Sequence, residues 1–316
     1  MLVCNASGAS DASGASDASG ASAKSAKIIG SGKSSRQMCP HWRVEAALAA
    51  GPDNPQWIIG CDEVGRGCLA GPVMVGACAF RLPDLRPPDY ASEHKFDYES
   101  DYESAMTASI PSGLKDSKLL TEKKREALYD PLASWSDTWA VGSASNKEID
   151  QVGIISALGL AAVRALDQIG QTISGSSSEA VDASEETEDT DDHSSREARG
   201  LSQLPASLIL DGPYDYISPI LQSILLPDQI RSRFAFRLSV TTVVKGDQTC
   251  ASVAAASVMA KVTRDRYMIR LADKNPQWEP YGWARNKGYG TAQHRRAIKD
   301  LGPTSYHRVS WCKLNE

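Results

Sequence analysis

The segment from Trp57 to Cys61 is an apolar run that passes directly into Asp62 and Glu63 and then into the turn Val64-Gly65-Arg66-Gly67. A short apolar run that follows Asn54-Pro55 and leads into a glycine turn predicts a buried strand, so the two carboxylates are delivered to a strand end at the rim of a sheet. Adjacent anions held out of water cost on the order of several kcal/mol unless a cation answers them, which points to a divalent metal or a basic partner. Gly65 and Gly67 let the backbone approach a ligand, and Arg66 adds a planar cationic fork. An N-capping Asp62 before a tight turn would account for Asp62 and Gly65, but it leaves Glu63, Arg66 and Gly67 without a reason.

Two further strands end in acids. Asp211 closes Ser207-Leu-Ile-Leu-Asp-Gly212, and Asp247 follows Thr241-Thr-Val-Val-Lys-Gly just before a long helical pattern. Taken singly, Asp211-Gly212 reads as a turn pair and Asp247 as a cap for the helix from Cys250. Three acidic strand ends in one chain are harder to explain that way, because strands of one sheet can bring them to a common rim. Four carboxylates suit hard cations such as Mg²⁺ or Mn²⁺, which keep water for chemistry. Two such ions about 3.5–4 Å apart would hold an attacking water and stabilise the leaving oxygen of a phosphodiester.

Around these motifs the pattern predicts strands at 57–61, 72–80, 138–144, 207–210 and 236–244, and helices at 121–134, 151–169, 250–273 and 291–301. Thr121 is placed to cap the first of these helices. The expected architecture is α/β, a mixed central sheet flanked by helices with a helical C-terminal part. Residues 1–40 contain a six-residue Ala-Ser-Gly/Asp repeat that cannot bury enough surface to fold, so a disordered tail is expected there. The remainder, 41–316, reads as one catalytic domain with inserts at about 83–113 and 170–205.

The chain of 316 residues carries a formal charge of −5, which argues at first against a nucleic-acid ligand. Eight of its acids lie between Glu179 and Asp192 with no base among them, so −5 plus 8 leaves +3 for the rest. Seven unpatterned cysteines fit a reducing compartment and a cytoplasmic location, and Cys39 with His41 is too isolated for a zinc site. No apolar run reaches the length of a membrane span on this reading.

Six segments together resemble the type 2 ribonucleases H of the bacterial ribonuclease HII kind, and they occur in that family's order. They are Cys61 to Gly67, Leu114-Lys-Asp-Ser-Lys118, Leu210-Asp-Gly212, Val244-Lys-Gly-Asp247, Ala254 to Asp265, and Asn286-Lys-Gly-Tyr-Gly-Thr291. Tyr281-Gly-Trp-Ala and the ending His307-Arg-Val-Ser-Trp311 are similar to the family's C-terminal half. The resemblance implies a ribonuclease H-like fold and a monomer acting on RNA/DNA hybrids and on duplex DNA that contains single ribonucleotides, with no membrane and with no protein partner indicated. It implies metal-binding carboxylates at Asp62, Glu63, Asp211 and Asp247, and a 2′-hydroxyl read by Gly65, Arg66 and Gly67. Tyr289 would stack on the sugar at the RNA-to-DNA junction. Phosphate contacts are expected from Lys118, Lys261 and Arg264, with Lys115, Ser117, Lys245 and Lys287 as further candidates.

The chain departs from the family pattern at Leu119, Gly153 and Asn286, which stand where lysine, asparagine and histidine are usual. These positions bear on substrate affinity rather than on the four acids. A hybrid-binding protein that kept the fold and lost catalysis is the competing reading, and its mark would be a missing carboxylate. The acidic insert is read as an inert surface loop in preference to a phosphate mimic folded over the groove.

Overall fold

The computed structural model describes residues 39–82, 109–179 and 203–312, so the N-terminal repeat and the greater part of both expected inserts lie outside the described residues. Five strands form one sheet: β1 (Trp57–Val64), β2 (Val73–Arg81), β3 (Thr138–Ala144), β4 (Leu204–Asp211) and β5 (Phe236–Val243). Their order is β3-β2-β1-β4-β5, with β2 antiparallel to both of its neighbours, β1 and β3, and with β1, β4 and β5 parallel. This mixed pattern decides where the chemistry sits. Parallel strands share one C-terminal edge, so Asp62, Asp211 and the residues just beyond β5 must meet at the same rim.

Alternation along β1 divides the core. Trp57, Ile59 and Cys61 pack with helix α3 (Asn146–Glu179) on one face, through Leu158, Ala161 and Leu166. On the other face Ile58 joins Phe80, Ile209 and helix α4 (Ala251–Asp273), over which α2 (Glu122–Trp135) lays Leu128 and Leu132. A Cβ at Gly60 would stand 2.2 Å from the backbone of Ser252, so the bare strand lets α4 lie directly on the sheet. Beyond the sheet, Met268, Tyr281, Trp283 and Ile298 of helix α5 (Ala292–Leu301) form a separate small core.

Local signals explain the helix starts. Thr121 accepts a hydrogen bond from the Lys124 amide at 3.3 Å, the cap expected from sequence. The residue before α4, Cys250, makes no side-chain cap; instead Glu45 of the short helix α1 (Arg43–Ala49) accepts from the Ser252 amide at 2.9 Å and from its hydroxyl at 2.8 Å. Asp247 is therefore not the cap of α4, and one ordinary explanation for it falls away.

Some expectations need correction. β1 continues to Val64, so Asp62 and Glu63 lie inside the strand and not after it. α3 is broken at Gly153, whose φ of 77° only glycine adopts readily, and it runs on past Ile169 to Glu179, into the segment expected to be an insert. By length and composition α3 could also cross a membrane, contrary to the reading that no such run exists, but 56% of its most apolar stretch is buried against the sheet as a core helix is. The described cysteines are all free thiols.

Candidate active site

At the shared rim, carboxylate oxygens of Asp62, Asp211 and Asp247 all come within 4.8 Å of one another. Asp62 and Asp247 are buried, at 3% exposure each, and Asp211 is half-buried. Backbone groups hold them. The Glu63 amide donates to Asp62 Oδ1 at 2.7 Å, and the Gly246 amide donates to Asp211 Oδ1 at 2.7 Å. That second bond ties the end of β4 to the turn Gly246–Thr249, which carries Asp247.

The electrostatics are those of a crowded anionic site. Burial, and next the charge of Asp211, lift the Asp62 carboxyl well above its usual range, with hydrogen bonding from Ser257 pulling the other way. Burial and Asp211 likewise raise Asp247 to about 6, against the pull of Lys118. The Lys118 Nζ donates to Asp247 Oδ2 at 3.2 Å. Although burial works against its charge, Asp62 and Asp247 hold the Lys118 ammonium above its ordinary pKa. One exposed lysine cannot balance three clustered acids, so the donor set is still short of positive charge. Hard oxygen donors this close, already pre-set by backbone amides, fit a divalent cation.

Glu63 stands apart from this trio. Strand alternation turns its side chain away from that of Asp62, yet it reaches the same cleft that Asp62 and Asp211 line. Its carboxylate pairs with Arg66 at 3.4 Å, while burial chiefly raises its pKa and Arg66 opposes the rise. Near it lies a buried hydroxyl, Tyr216 Oη, that has no hydrogen-bond partner among the described residues. Burial and then the charge of Glu63 push that phenol well above its ordinary pKa.

The cleft over the acids has a volume of about 160 Å³ and brings together most of the residues singled out from sequence: Asp62, Glu63, Gly65, Arg66, Gly67, Lys118, Asp211, Lys261 and Tyr289 line it. A larger hollow of about 620 Å³ beside Lys115 and Lys124 has no acidic group in its wall, and size alone is a poor guide to the chemistry. Tyr289 is 40% exposed, with the Lys261 ammonium 5.7 Å from its ring centre. A bridge between Cys68 and Tyr289 fixes the tyrosine beside the glycine turn.

The two glycines of that turn differ. At Gly65, φ is +82° and a Cβ would meet Arg264 Nε at 2.1 Å; at Gly67 nothing lies within 4 Å of an added Cβ. Gly65 is thus required by the protein's own packing, whereas the space at Gly67 is open to a ligand.

Two expected phosphate contacts are not available. Arg264 is fully buried, and its guanidinium donates to the carbonyls of Pro72 at 2.9 Å, Lys287 at 2.8 Å and Ala70 at 3.2 Å. Lys287 is 7% exposed and its ammonium donates to the Ala284 carbonyl. Arg264 is enclosed by the segment from Gly65 to Pro72 and by Lys287, contacts distant in sequence that no local pattern announced. Ser117 is buried too, its hydroxyl accepting from Ser257 at 2.7 Å. Ser257 was passed over in the sequence, although it lies one helical turn before Lys261 and both line the cleft.

Comparison with known proteins now bears on this site. The family profile described as Ribonuclease HII matches residues 214–314. Ribonuclease HII of Streptomyces griseus is 36% identical over 276 residues, covering 87% of this chain and 85% of its own. The chain belongs to the ribonuclease HII family. Ribonuclease HII of Paracoccus denitrificans is 35% identical over 86% of this chain and 91% of its own, and that of Bacteroides thetaiotaomicron 34% over 81% and 90%. Among solved structures, the chain is similar to ribonuclease H2 from Pyrococcus horikoshii OT3 at 20% identity and a TM-score of 0.45, over 82% of this chain and 95% of that one. Membership of the ribonuclease HII family makes the chain a type 2 ribonuclease H of ribonuclease H-like fold, a metal-dependent nuclease acting on RNA–DNA hybrids.

Proposed function

We propose that the chain hydrolyses the RNA strand of RNA/DNA hybrids and nicks duplex DNA on the 5′ side of a single embedded ribonucleotide. Water is the nucleophile. Its oxygen adds to phosphorus as the bond to the upstream O3′ breaks; that oxygen takes up a proton, leaving 3′-hydroxyl and 5′-phosphate ends. The observation that carries this reading is the convergence of Asp62, Asp211 and Asp247 within 4.8 Å beneath a turn bearing Gly67.

Asp62, Asp211 and Asp247 would hold Mg²⁺ or Mn²⁺, with Glu63, which lines the same cleft, completing the set. Two such ions, when bound, would polarise the phosphate and lower the pKa of water at the site. The remaining work belongs to the chain. The bare backbone at Gly67 accommodates the ribose 2′-hydroxyl where a side chain would block it. Tyr289 offers an exposed flat ring to the deoxyribose next to the junction, which lacks that hydroxyl. Lys118 and Lys261, both at the cleft, place positive charge along the phosphate path, and the exposed fork of Arg66 adds a further contact. Substrate choice then rests on sugar identity and helix shape rather than on base sequence. We read residues 41–316 as the catalytic domain and 1–40 as a tail outside it.

The test is a strand-cleavage assay with Mg²⁺ or Mn²⁺ and an end-labelled DNA duplex carrying one ribonucleotide. A nick 5′ to the ribonucleotide, lost in Asp211→Asn, supports the reading. Intact duplex with both metals rejects it.

A further inference from the structure

Arg308 is fully buried and is bonded to no carboxylate among the described residues. Its guanidinium donates to the carbonyl of Gly65 at 2.7 Å, to that of Arg66 at 2.8 Å and to that of Gly71 at 3.2 and 3.3 Å. The Trp311 ring covers it at 4.9 Å. Burying a charge on neutral carbonyls is costly, and here burial pulls even an arginine down to about 10. A fold that only needed filling would be served at lower cost by an apolar side chain.

What the fork achieves follows from peptide geometry. In a trans peptide the carbonyl and the next N–H point in opposite directions. Turning the Gly65 and Arg66 carbonyls inward to one guanidinium therefore turns two successive N–H groups, those of Arg66 and Gly67, outward toward the cleft. Successive outward amides form a concave donor site for an oxygen-bearing ligand. Arg264 performs the matching task from the opposite side: it takes the Lys287 carbonyl at 2.8 Å and the Ala70 carbonyl at 3.2 Å. The Leu69 amide then donates to the Gly288 carbonyl at 2.8 Å, which ties the loop bearing Tyr289 to the strip that follows the turn.

We propose that Arg308, seconded by Arg264, is a positioning residue for substrate selectivity, aiming the Arg66 and Gly67 amides at the ribose and fixing their distance from Tyr289. This rests on the function proposed above. A long RNA strand presents a 2′-hydroxyl at every register, so a loosened turn still finds one; a lone ribonucleotide presents a single chance. Selectivity, and not only activity, is what the clamp sets.

The experiment uses the full chain with Arg308→Lys, which keeps the charge but not the fork, and Arg308→Gln, which keeps one donor group without the charge. For each, kcat/KM is measured on a single-ribonucleotide duplex and on a long hybrid, with thermal melting and amide hydrogen exchange at Cys68, whose N–H donates to the Gly65 carbonyl at 3.2 Å. The expected result is a roughly 100-fold loss on the single-ribonucleotide duplex against a loss of about 5-fold or less on the hybrid, since small misplacements have costs of that order. Faster exchange at Cys68 should accompany it. Equal losses on both substrates, no loss on either, or unchanged exchange at Cys68 would overturn the proposal. So would loss of cooperative melting in both variants, because Arg308 would then hold the whole fold. If the unaltered chain leaves the single-ribonucleotide duplex intact, the function proposed above fails instead, and exchange at Cys68 still decides whether the clamp exists.

Discussion

Two regions that flank the end of β1 handle buried charge in opposite ways. At the rim of the sheet, Asp62, Asp211 and Asp247 crowd together with one lysine between them, and burial with the charge of Asp211 pushes the carboxyls of Asp62 and Asp247 above their usual range. Behind the 65–67 turn, Arg264 and Arg308 are buried with no carboxylate bonded to them among the described residues, yet their donors are met by carbonyls. The first region is unsatisfied by the protein alone and, on the proposed function, is completed by a cation. The second is satisfied internally, and its product is the shape of a loop. Buried charge by itself therefore does not mark a catalytic group; unmet charge does.

The sharpest way to break this contrast is at the acids. Asp62→Asn should reduce nicking by roughly 10³-fold or more, as removal of a central catalytic group does. It should also leave the metal-free protein at least as stable as before, because a repelled anion has been removed. A parallel loss of melting temperature would mean that Asp62 serves the fold.

The two glycines of the turn sharpen the contrast next. Gly67→Ala should melt within about 0.5 kcal/mol of the unaltered chain, as surface changes usually do, yet lose on the order of 100-fold in single-ribonucleotide nicking. Gly65→Ala should instead destabilise, since its φ is +82° and its Cβ would strike Arg264. Equal behaviour of the two variants would contradict the division between a ligand-facing and a packing-facing glycine.

Glu45 provides an acid that is buried but not crowded. Burial raises its carboxyl from 4.5 to about 7, against the hydrogen bonds from Ser252. The folded state thus keeps a proton that the unfolded chain has released, so the contribution of Glu45 to stability is fullest below about pH 4.5 and falls as pH rises through about 7. A gap of that size is worth on the order of 3 kcal/mol at most. Glu45→Gln should flatten this slope in pH-dependent melting while leaving nicking in place; an unchanged slope would show that Glu45 is not its source.

The smallest effect is expected at Tyr289. Tyr289→Ala removes a stacking surface worth about 1–3 kcal/mol in comparable contacts, and the loss should fall mainly on the single-ribonucleotide duplex. Equal loss on long hybrids would argue against a junction role.

The sequence already carried the strands, because apolar runs ending in acids and glycines are local signals, and all five appear within a few residues of their expected bounds. The convergence of Asp62, Asp211 and Asp247 was legible as well, since parallel strands share an edge. What escaped depends on distant packing. Arg264 could not be read as buried from α4, most of whose positions are covered, so that no polar face shows which cation meets solvent. Arg308 lay in a C-terminal motif whose carbonyl partners are more than two hundred positions away.

The account rests most heavily on the claim that the acidic rim is completed by a divalent cation. Thermal unfolding of the full chain with and without Mn²⁺ tests it directly. Mn²⁺ at about 100 times its dissociation constant should stabilise the unaltered chain by about 2.7 kcal/mol, and that gain should be largely absent in Asp62→Asn. No shift in the unaltered chain, or an equal shift in both, would contradict it.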